Sequence, residues 1–445
     1  MLTTEQIETI RPGDDRYEEA RAAWNLAADL NPAVVAYPNT ADDVAAIVAY
    51  AREHGLRVTA QGTGHNATPH GDLSDTVLIK TERLRGVEID ADARRARAEA
   101  GAVWSDVTGP ASEHGLAPLS GSSPNVGVVG YFLGGGVSLG LARAFGVAAN
   151  SVLAFEVVTA DGRLRRVDAD NDPDLFWALR GGGGSYAIVT AVEFALYAVP
   201  ELYGGVMLWP ADRAREVLEA WVAFTRTAPD AFTSTVRVMN VPDMPEIPEP
   251  VRGRQLVAVD GVYAGPAEEG AALTAPLRAL GPELDGFGPL PPVALSYVHM
   301  DPEDPMAGRS DSQLLDDVTP ATVDRILDVA APTPDSPLVM VELRHLGGAV
   351  ARRPEGAGVI GSFEAPYLAF AVGPAFTPEL TAAVEASLAL LRDALAPQAS
   401  GREYLNFAEG RRDPSAFFGD EDLARLRAVK ARVDPNGAIL ANHPV

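Results

Sequence analysis

Apolar positions change period along the chain, and each change marks an element. From Ala41 to His54 they return at Val44, Ile47, Val48 and Ala51, behind a helix start at Asn39-Thr40 and ahead of a stop at Gly55. Leu56-Arg-Val-Thr-Ala then reads as a strand entering a glycine loop, and Thr76–Ile79, Gly86–Ile89 and Arg95–Ala100 read as short strands. Val103–His114 is helical by the same pattern. Ala154–Ala160 and Arg163–Val167 flank Asp161-Gly162, a pair that tolerates the positive φ of a tight hairpin. Ala187–Leu196 is a long apolar strand.

Past Pro200 the texture shifts. Helical stretches at Ala211–Thr227, Ala267–Leu280 and Pro378–Leu395 alternate with strand patterns at Thr233–Val241, Gln255–Tyr263, Leu338–Leu346 and Tyr367–Val372. Tyr297 and His299 share one face of a further possible strand, and the proline-rich Pro242–Pro250 reads as a loop. From Gly401 onward come Tyr404-Leu-Asn-Phe407, a helix over Glu421–Val433, and Asp434-Pro-Asn-Gly437. Alternation of this kind means an α/β or α+β protein, and 445 residues suggest two or three domains.

Composition narrows the chemistry. The chain is 47% hydrophobic and 22% charged, the range of a globular protein, with no apolar run approaching the ~20 residues that span a bilayer. Its N-terminus is polar and acidic, without the basic and apolar segments of a signal peptide, so a cytoplasmic location is expected. A net charge of −25 argues against nucleic acid and anionic membrane as partners. The chain has no cysteine, which excludes disulfides, thiolate nucleophiles and cysteine-held metal clusters. Seven scattered histidines give no metal-binding spacing, so no metal is expected. Composition leaves the oligomeric state open.

Two glycine segments carry the candidate chemistry. The first is Gln61-Gly62-Thr63-Gly64-His65-Asn66, directly after a strand; the second runs from Gly121-Ser122-Ser123-Pro124 through Gly127, Val128 and Gly130 to Gly134-Gly135-Gly136. Glycine lets backbone approach a ligand, and its N–H groups can cradle pyrophosphate. Neither segment is the GxGxxG of a nicotinamide-binding fold. A nicotinamide-dependent dehydrogenase using Gly134–Gly136 therefore stays the alternative, beside a non-catalytic flavin- or ligand-binding protein.

These segments resemble the berberine-bridge-enzyme-like branch of the vanillyl-alcohol-oxidase-type flavoproteins. In that family a strand enters Arg-Ser-Gly-Gly-His, and the histidine bonds to the flavin ring; this chain keeps Gly64 and His65 but has Gln61, Gly62 and Thr63 before them. The family's second segment is matched by Gly121, Pro124, Gly127 and Gly134–Gly136, with Ser123 where some members carry a flavin-linked cysteine. Asn150-Ser-Val, Asp174–Thr190 and the closing Asp434-Pro to Asn442 also match, so the likeness covers roughly 20–200 and 400–445 and is weak between them.

The resemblance implies an α+β fold: a bipartite PCMH-type FAD-binding domain over 1–200, completed by 401–445, with a sheet-plus-helices substrate domain inserted over 201–400. It implies FAD bonded through His65 and held by Gln61, Gly62, Thr63, Gly64, Asn66, Gly121, Ser122, Gly127, Val128, Gly130, Gly134, Gly135, Gly136, Asn150, Val189, Asn406 and Asn442. The implied activity is hydride transfer from a small alcohol, hemiacetal or amine to FAD, with O2 as acceptor and hydrogen peroxide as product.

Such oxidation needs a base. The family often uses the first tyrosine of Tyr-x-Asn-Tyr, and this chain has Tyr404-Leu405-Asn406-Phe407, without the second phenol. Tyr404 is thus the candidate base, or else a strand residue packed in a core. In Val341–His345, alternation puts Glu342 and Arg344 on one face and His345 on the other. Glu342 and Arg344 are either substrate contacts or an ion pair. Gly181–Gly184 is either a turn or a support beneath the cofactor.

Overall fold

The computed structural model describes residues 7–245, 247, 249–330 and 336–445; the polar start at 1–6, where a leader would begin, lies outside them. The first half is built on two larger sheets and a two-stranded one that pairs Leu116–Ala117 with Tyr197–Ala198. One of the larger two runs in the order Glu8–Ile10, Val34–Tyr37, Thr76–Lys80, Arg57–Gln61, and its last three strands are parallel. Parallel neighbours need a crossover. Helix Ala41–Glu53 supplies it, opened by a capping box in which Thr40 Oγ1 accepts from Asp43 N while the Asp43 carboxylate accepts from Thr40 N. The other sheet is antiparallel: Val87–Asp90, Arg95–Glu99, Ile188–Ala195, Val152–Val158, Leu164–Asp168. Its hairpin turns at Gly162, where φ is 78°.

The C-terminal segment returns to this half. Leu440 N donates to Val58 O and Val58 N to Ala438 O, both at 2.8 Å, so the tail lies along the strand that leads into the first glycine loop. Lys430 Nζ fixes the return by donating to Ser185 O and Ile439 O beside the Asp434 carboxylate. One apolar core joins Ile47, Val77, Trp104, Phe132, Phe155 and Phe194 to Leu405, Leu426 and Ile439.

The second half is one antiparallel sheet, ordered Leu284–Asp285, Tyr203–Pro210, Gln255–Tyr263, Phe232–Asn240, Met340–His345, Tyr367–Pro374, Gly308–Leu315, with Gly288–Pro289 also pairing Tyr203–Pro210. Helices Ala214–Thr225, Ala267–Arg278, Pro320–Ala330 and Pro378–Leu395 pack on one face over a separate core of Trp209, Trp221, Val257, Leu343 and Leu391. The opposite face is buried yet polar, with Arg237, Asp260, Glu342 and Arg344 all under 7% exposed. That face positions the site.

Strand Gln255–Tyr263 and helix Pro378–Leu395 have the bounds their patterns imply. Strand Tyr203–Pro210 carries Gly204-Gly205 and so lacks a strand pattern; a Cβ on Gly205 would lie 2.3 Å from Gly286 O, so close pairing excludes a side chain there. The strand expected through Tyr297 and His299 does not form. Pro291 and Pro292 start a 3-10 turn over Pro292–Ser296, leaving Tyr297 exposed and His299 fully buried. The described residues of 242–250 hold neither helix nor strand, as the prolines suggest. Among the described residues no helix is long and apolar enough to cross a membrane, and no cluster of three His, Asp or Glu is placed to hold a metal.

Candidate active site

Strand Arg57–Gln61 leads directly into the first glycine loop. Gly64 has φ 88°, and a Cβ on it would sit 2.7 Å from Ala23 Cβ, so only glycine fits this turn. His65 follows. Its ring stacks on Trp24 with centroids 4.1 Å apart, and Nδ1 lies 2.8 Å from Thr63 Oγ1. Nε2 is buried with no partner. Burial takes the imidazole pKa down to about 4 against the pull of the Asp301 carboxylate, so the ring is neutral near pH 7.

The loop is tied to the C-terminal segment on both sides. Asn66 Nδ2 donates to Leu405 O at 3.1 Å, and Asn442 Nδ2 donates to Asn66 O at 3.0 Å. Gln61 Nε2 donates to Ala22 O at 3.0 Å. The side-chain oxygens Gln61 Oε1 and Asn66 Oδ1 are buried and unpaired, like His65 Nε2.

The second glycine segment meets the first at Thr63, whose Oγ1 is 3.6 Å from where a Cβ on Gly127 would be. Gly127 precedes the short helix Val128–Leu133, with Gly130 on its open side. A Cβ on Gly121 would already touch the Tyr131 ring, at 3.3 Å. Gly134, Gly135 and Gly136 spend their missing side chains on protein neighbours. A Cβ there would come within 2.2 Å of Asn406 Oδ1, 3.1 Å of Ile360 and 2.4 Å of the Tyr131 ring. Asn406 is locked in place, donating to Tyr131 O at 3.2 Å and accepting from Gly136 N at 3.4 Å.

The turn before Asn150 is bonded to the second glycine segment, Ala148 N donating to Gly136 O and Ala149 N to Gly135 O. Asn150 itself lines a cavity of about 210 Å³ shared with Phe145, Ala349 and Arg353. Its Nδ2 donates to Gly361 O, and its Oδ1 is buried and unpaired. Val189 is buried in strand Ile188–Ala195, beside a bulge. Gly181 and Gly182 pack tightly on Ile360, Ala178 and Leu426, a structural role.

A buried polar atom without a partner costs ~1–3 kcal/mol, and native proteins rarely leave several together. Among the buried unpaired atoms, which occur in both halves of the molecule, are Gln61 Oε1, His65 Nε2, Asn66 Oδ1 and Asn150 Oδ1, on residues the family resemblance assigns to a cofactor. A ligand with many donors and acceptors, as FAD has, fits that set.

Tyr404 lies next to one-turn helix Leu405–Phe407 and is not in a strand. Its ring meets Phe363 and Phe407 edge-on, at 5.3 and 5.1 Å, and it is 2% exposed. Burial pushes the phenol pKa above its usual range, while Arg344 and the amides of Val137 and Gly136 pull it down.

Glu342 and Arg344 share a face, as alternation implies, and form a buried ion pair with each other. The Arg344 guanidinium also lies 4.7 Å from the Phe407 ring centroid. The chain of contacts runs on from Glu342. Its Oε2 is 2.7 Å from His299 Nε2, His299 Nδ1 is 2.7 Å from Asp301 Oδ1, and Ser122 Oγ donates to Asp301 Oδ2 at 2.6 Å. Asp301 and Tyr131 carried no sequence signal. His299 and Glu342 are 43 positions apart, and no local pattern pairs them.

Known proteins are similar to this chain in sequence and in fold. Residues 32–168 match the FAD binding domain family. The chain is 32% identical over 205 residues to (R)-6-hydroxynicotine oxidase of Paenarthrobacter nicotinovorans, a stretch that covers 46% of this chain and only 44% of that enzyme. It is 26% identical over 437 residues to the uncharacterized FAD-linked oxidoreductase YgaK of Bacillus subtilis, covering 95% of this chain and 93% of that one. Its fold is that of BBE-like 1 from Physcomitrella patens, with TM-score 0.86 and 20% identity over 100% of this chain and 98% of that one. With 6-hydroxy-D-nicotine oxidase of Arthrobacter nicotinovorans the TM-score is 0.80 at 24% identity, over 97% and 96% of the two chains. Residues 32–168 thus carry an FAD binding domain, and over 95% of its length the chain is similar to an FAD-linked oxidoreductase and has the fold of BBE-like proteins.

Proposed function

We propose that this protein is an oxidase that removes hydride from a C–H bond of a small alcohol, hemiacetal or amine, with FAD bonded through His65 and Tyr404 as the base. The observation that carries the reading is the direct bond from Asn66 to Leu405 O, which ties the turn holding Tyr404 to the loop holding His65. FAD, when bound, supplies the hydride acceptor and hands the electrons on to O2 as hydrogen peroxide.

The chain supplies the rest. His65 is neutral, and its Nδ1 shares a hydrogen bond with the Thr63 hydroxyl; with the proton on Nδ1, the unpartnered Nε2 carries the lone pair. Gln61, Asn66 and Asn150 offer acceptor oxygens to the cofactor's N–H and O–H groups. Tyr404 takes the substrate's O–H or N–H proton as the hydride departs. Arg344 and the Gly136 and Val137 amides stabilise the phenolate this requires. Because burial keeps the phenol protonated near pH 7, turnover climbs as pH rises into the alkaline range.

Acid or SDS denaturation tests the link. Yellow fluorescence stays with the wild-type chain, and His65→Ala releases it. Anaerobic bleaching of the flavin by an alcohol, sugar or amine, followed by peroxide on admission of air, tests the reaction. Free flavin from the wild type would remove the covalent link, and a flavin that no such compound bleaches would remove the oxidase reading.

A further inference from the structure

We propose that His299 is a buried imidazolium that positions Arg344 against Tyr404 and so serves the base of the reaction without touching substrate. The geometry carries this. Both ring nitrogens face carboxylate oxygens at 2.7 Å, Asp301 on one side and Glu342 on the other. A neutral imidazole has one N–H. It would turn a lone pair toward one of the two carboxylates, and only the doubly protonated ring donates to both.

The surroundings balance that charge. Asp301 lies on the same loop, Glu342 and Arg344 on strand Met340–His345, Arg237 on Phe232–Asn240 and Asp260 on Gln255–Tyr263. Arg237 Nη1 donates to His299 O at 2.9 Å, and Arg237 Nη2 pairs with Asp260 Oδ1 at 2.8 Å. Counting His299 as charged, three cations face three carboxylates. Burial and Arg237 press the imidazole pKa down, and Asp301, Glu342 and Asp260 outweigh them, holding it up at about 9.

Glu342 spends one oxygen on His299 and the other on Arg344 Nε. No hydrogen bond among the described residues uses Arg344 Nη1 or Nη2; the guanidinium lies by the Phe407 ring, and its charge acts on the Tyr404 phenol. At the far end Ser122 anchors Asp301, which joins the device to the second glycine segment. Met300 adopts φ 59° between His299 and Asp301, a backbone form unusual for a non-glycine residue, at the point where both neighbours turn inward.

The role of His299 rests on the oxidase reading; its protonation does not. Nitrogen-15 NMR of the histidine side chains reads the second alone. Two protonated ring nitrogens on His299 from pH 6 to 8 are expected, and a single N–H at pH 7 would overturn the proposal.

The pH profile of anaerobic flavin reduction reads the role. His299→Gln leaves the cluster one charge more negative, disfavours phenolate at Tyr404 and moves the profile to higher pH. A profile displaced by about one pH unit slows reduction about tenfold at neutral pH, with kcat changing more than KM. Glu342→Gln keeps an acceptor for Arg344 Nε but removes a negative charge, so it moves the profile to lower pH. Displacement in opposite directions is the signature. Equal slowing by both variants with the profile unmoved would mean a merely structural role and would overturn it. If no compound reduces the wild-type flavin while the NMR result holds, the oxidase reading fails and the imidazolium stands.

Discussion

The two sides of the site differ at the residues nearest Tyr404 and His65, although the sheet also buries atoms without a hydrogen bond farther along, on Thr235, Arg237 and Asp260. On the glycine-loop side, Gln61 Oε1, His65 Nε2 and Asn66 Oδ1 are buried and unpaired. On the sheet side, Ser122, Asp301, His299, Glu342 and Arg344 form a continuous chain of contacts, in which each carboxylate meets two partners. Each unpaired group costs ~1–3 kcal/mol, which binding of a matching ligand returns. The contrast teaches where the molecule expects a ligand and where it has fixed its charges beforehand. One side is completed by a cofactor, and the other is ready to act on what that cofactor meets.

The sharpest way to break the comparison is to remove the phenol between the sides. Tyr404→Phe is expected to slow flavin reduction by ~10²–10⁴-fold, the usual range for a lost general base. Flavin content should not change, because Tyr404 belongs to neither the unpaired set nor the paired chain. Rapid-mixing absorbance separates the two. A variant that reduces at the wild-type rate would remove Tyr404 from the chemistry.

The next effect is on stability. The seam between the sides runs through Gly134, where a Cβ would fall 2.2 Å from Asn406 Oδ1. Gly134→Ala is expected to cost ~3 kcal/mol, the upper end for overpacking, because Asn406 is held at both ends of its amide. Adding Asn406→Ala should recover part of the thermal midpoint, since it removes the colliding atoms. No recovery would mean that the backbone at Gly134, and not the Asn406 contact, excludes a side chain.

The glycine-loop side was legible in sequence, and the sheet side was not. Gly62-Thr63-Gly64-His65 and Gly121–Gly136 are contiguous, and backbone demands show through as glycine at fixed places; Gly64 and Gly136 carry positive φ as such turns require. Helix Pro378–Leu395 and strand Gln255–Tyr263 were readable because their apolar periods run uninterrupted. Strand Gly308–Leu315 was not, since Arg309, Asp311 and Gln313 break any apolar reading of it. The His299 loop is set by partners far along the chain, and Asn66 meets Leu405 across 339 positions. Local pattern holds no record of such pairings. Even the one correct signal there, the shared face of Glu342 and Arg344, did not show that the face would be buried.

The smallest expected effect tests a joint beneath both sides. Glu409 links three pieces of chain: its carboxylate accepts from Ser310 N at 2.9 Å and from Asn25 Nδ2 at 3.4 Å, and its carbonyl accepts from Thr68 Oγ1. Burial raises its pKa to about 7, against the lowering effect of the Ser310 bonds and Arg309. A carboxyl with a raised folded pKa holds its proton more tightly folded than unfolded, so stability falls as pH rises from about 4.5 through about 7. Glu409→Gln cannot ionise and keeps an acceptor for Ser310 N. Its stability should match the wild type near pH 4.5 and exceed it above pH 7 by up to about 3 kcal/mol, read as a higher melting temperature. A gain that is equal at both pH values would mean packing, not ionisation, distinguishes the two side chains. A loss above pH 7 would mean that the joint needs the carboxylate charged, and would make Glu409 part of the paired side of the molecule.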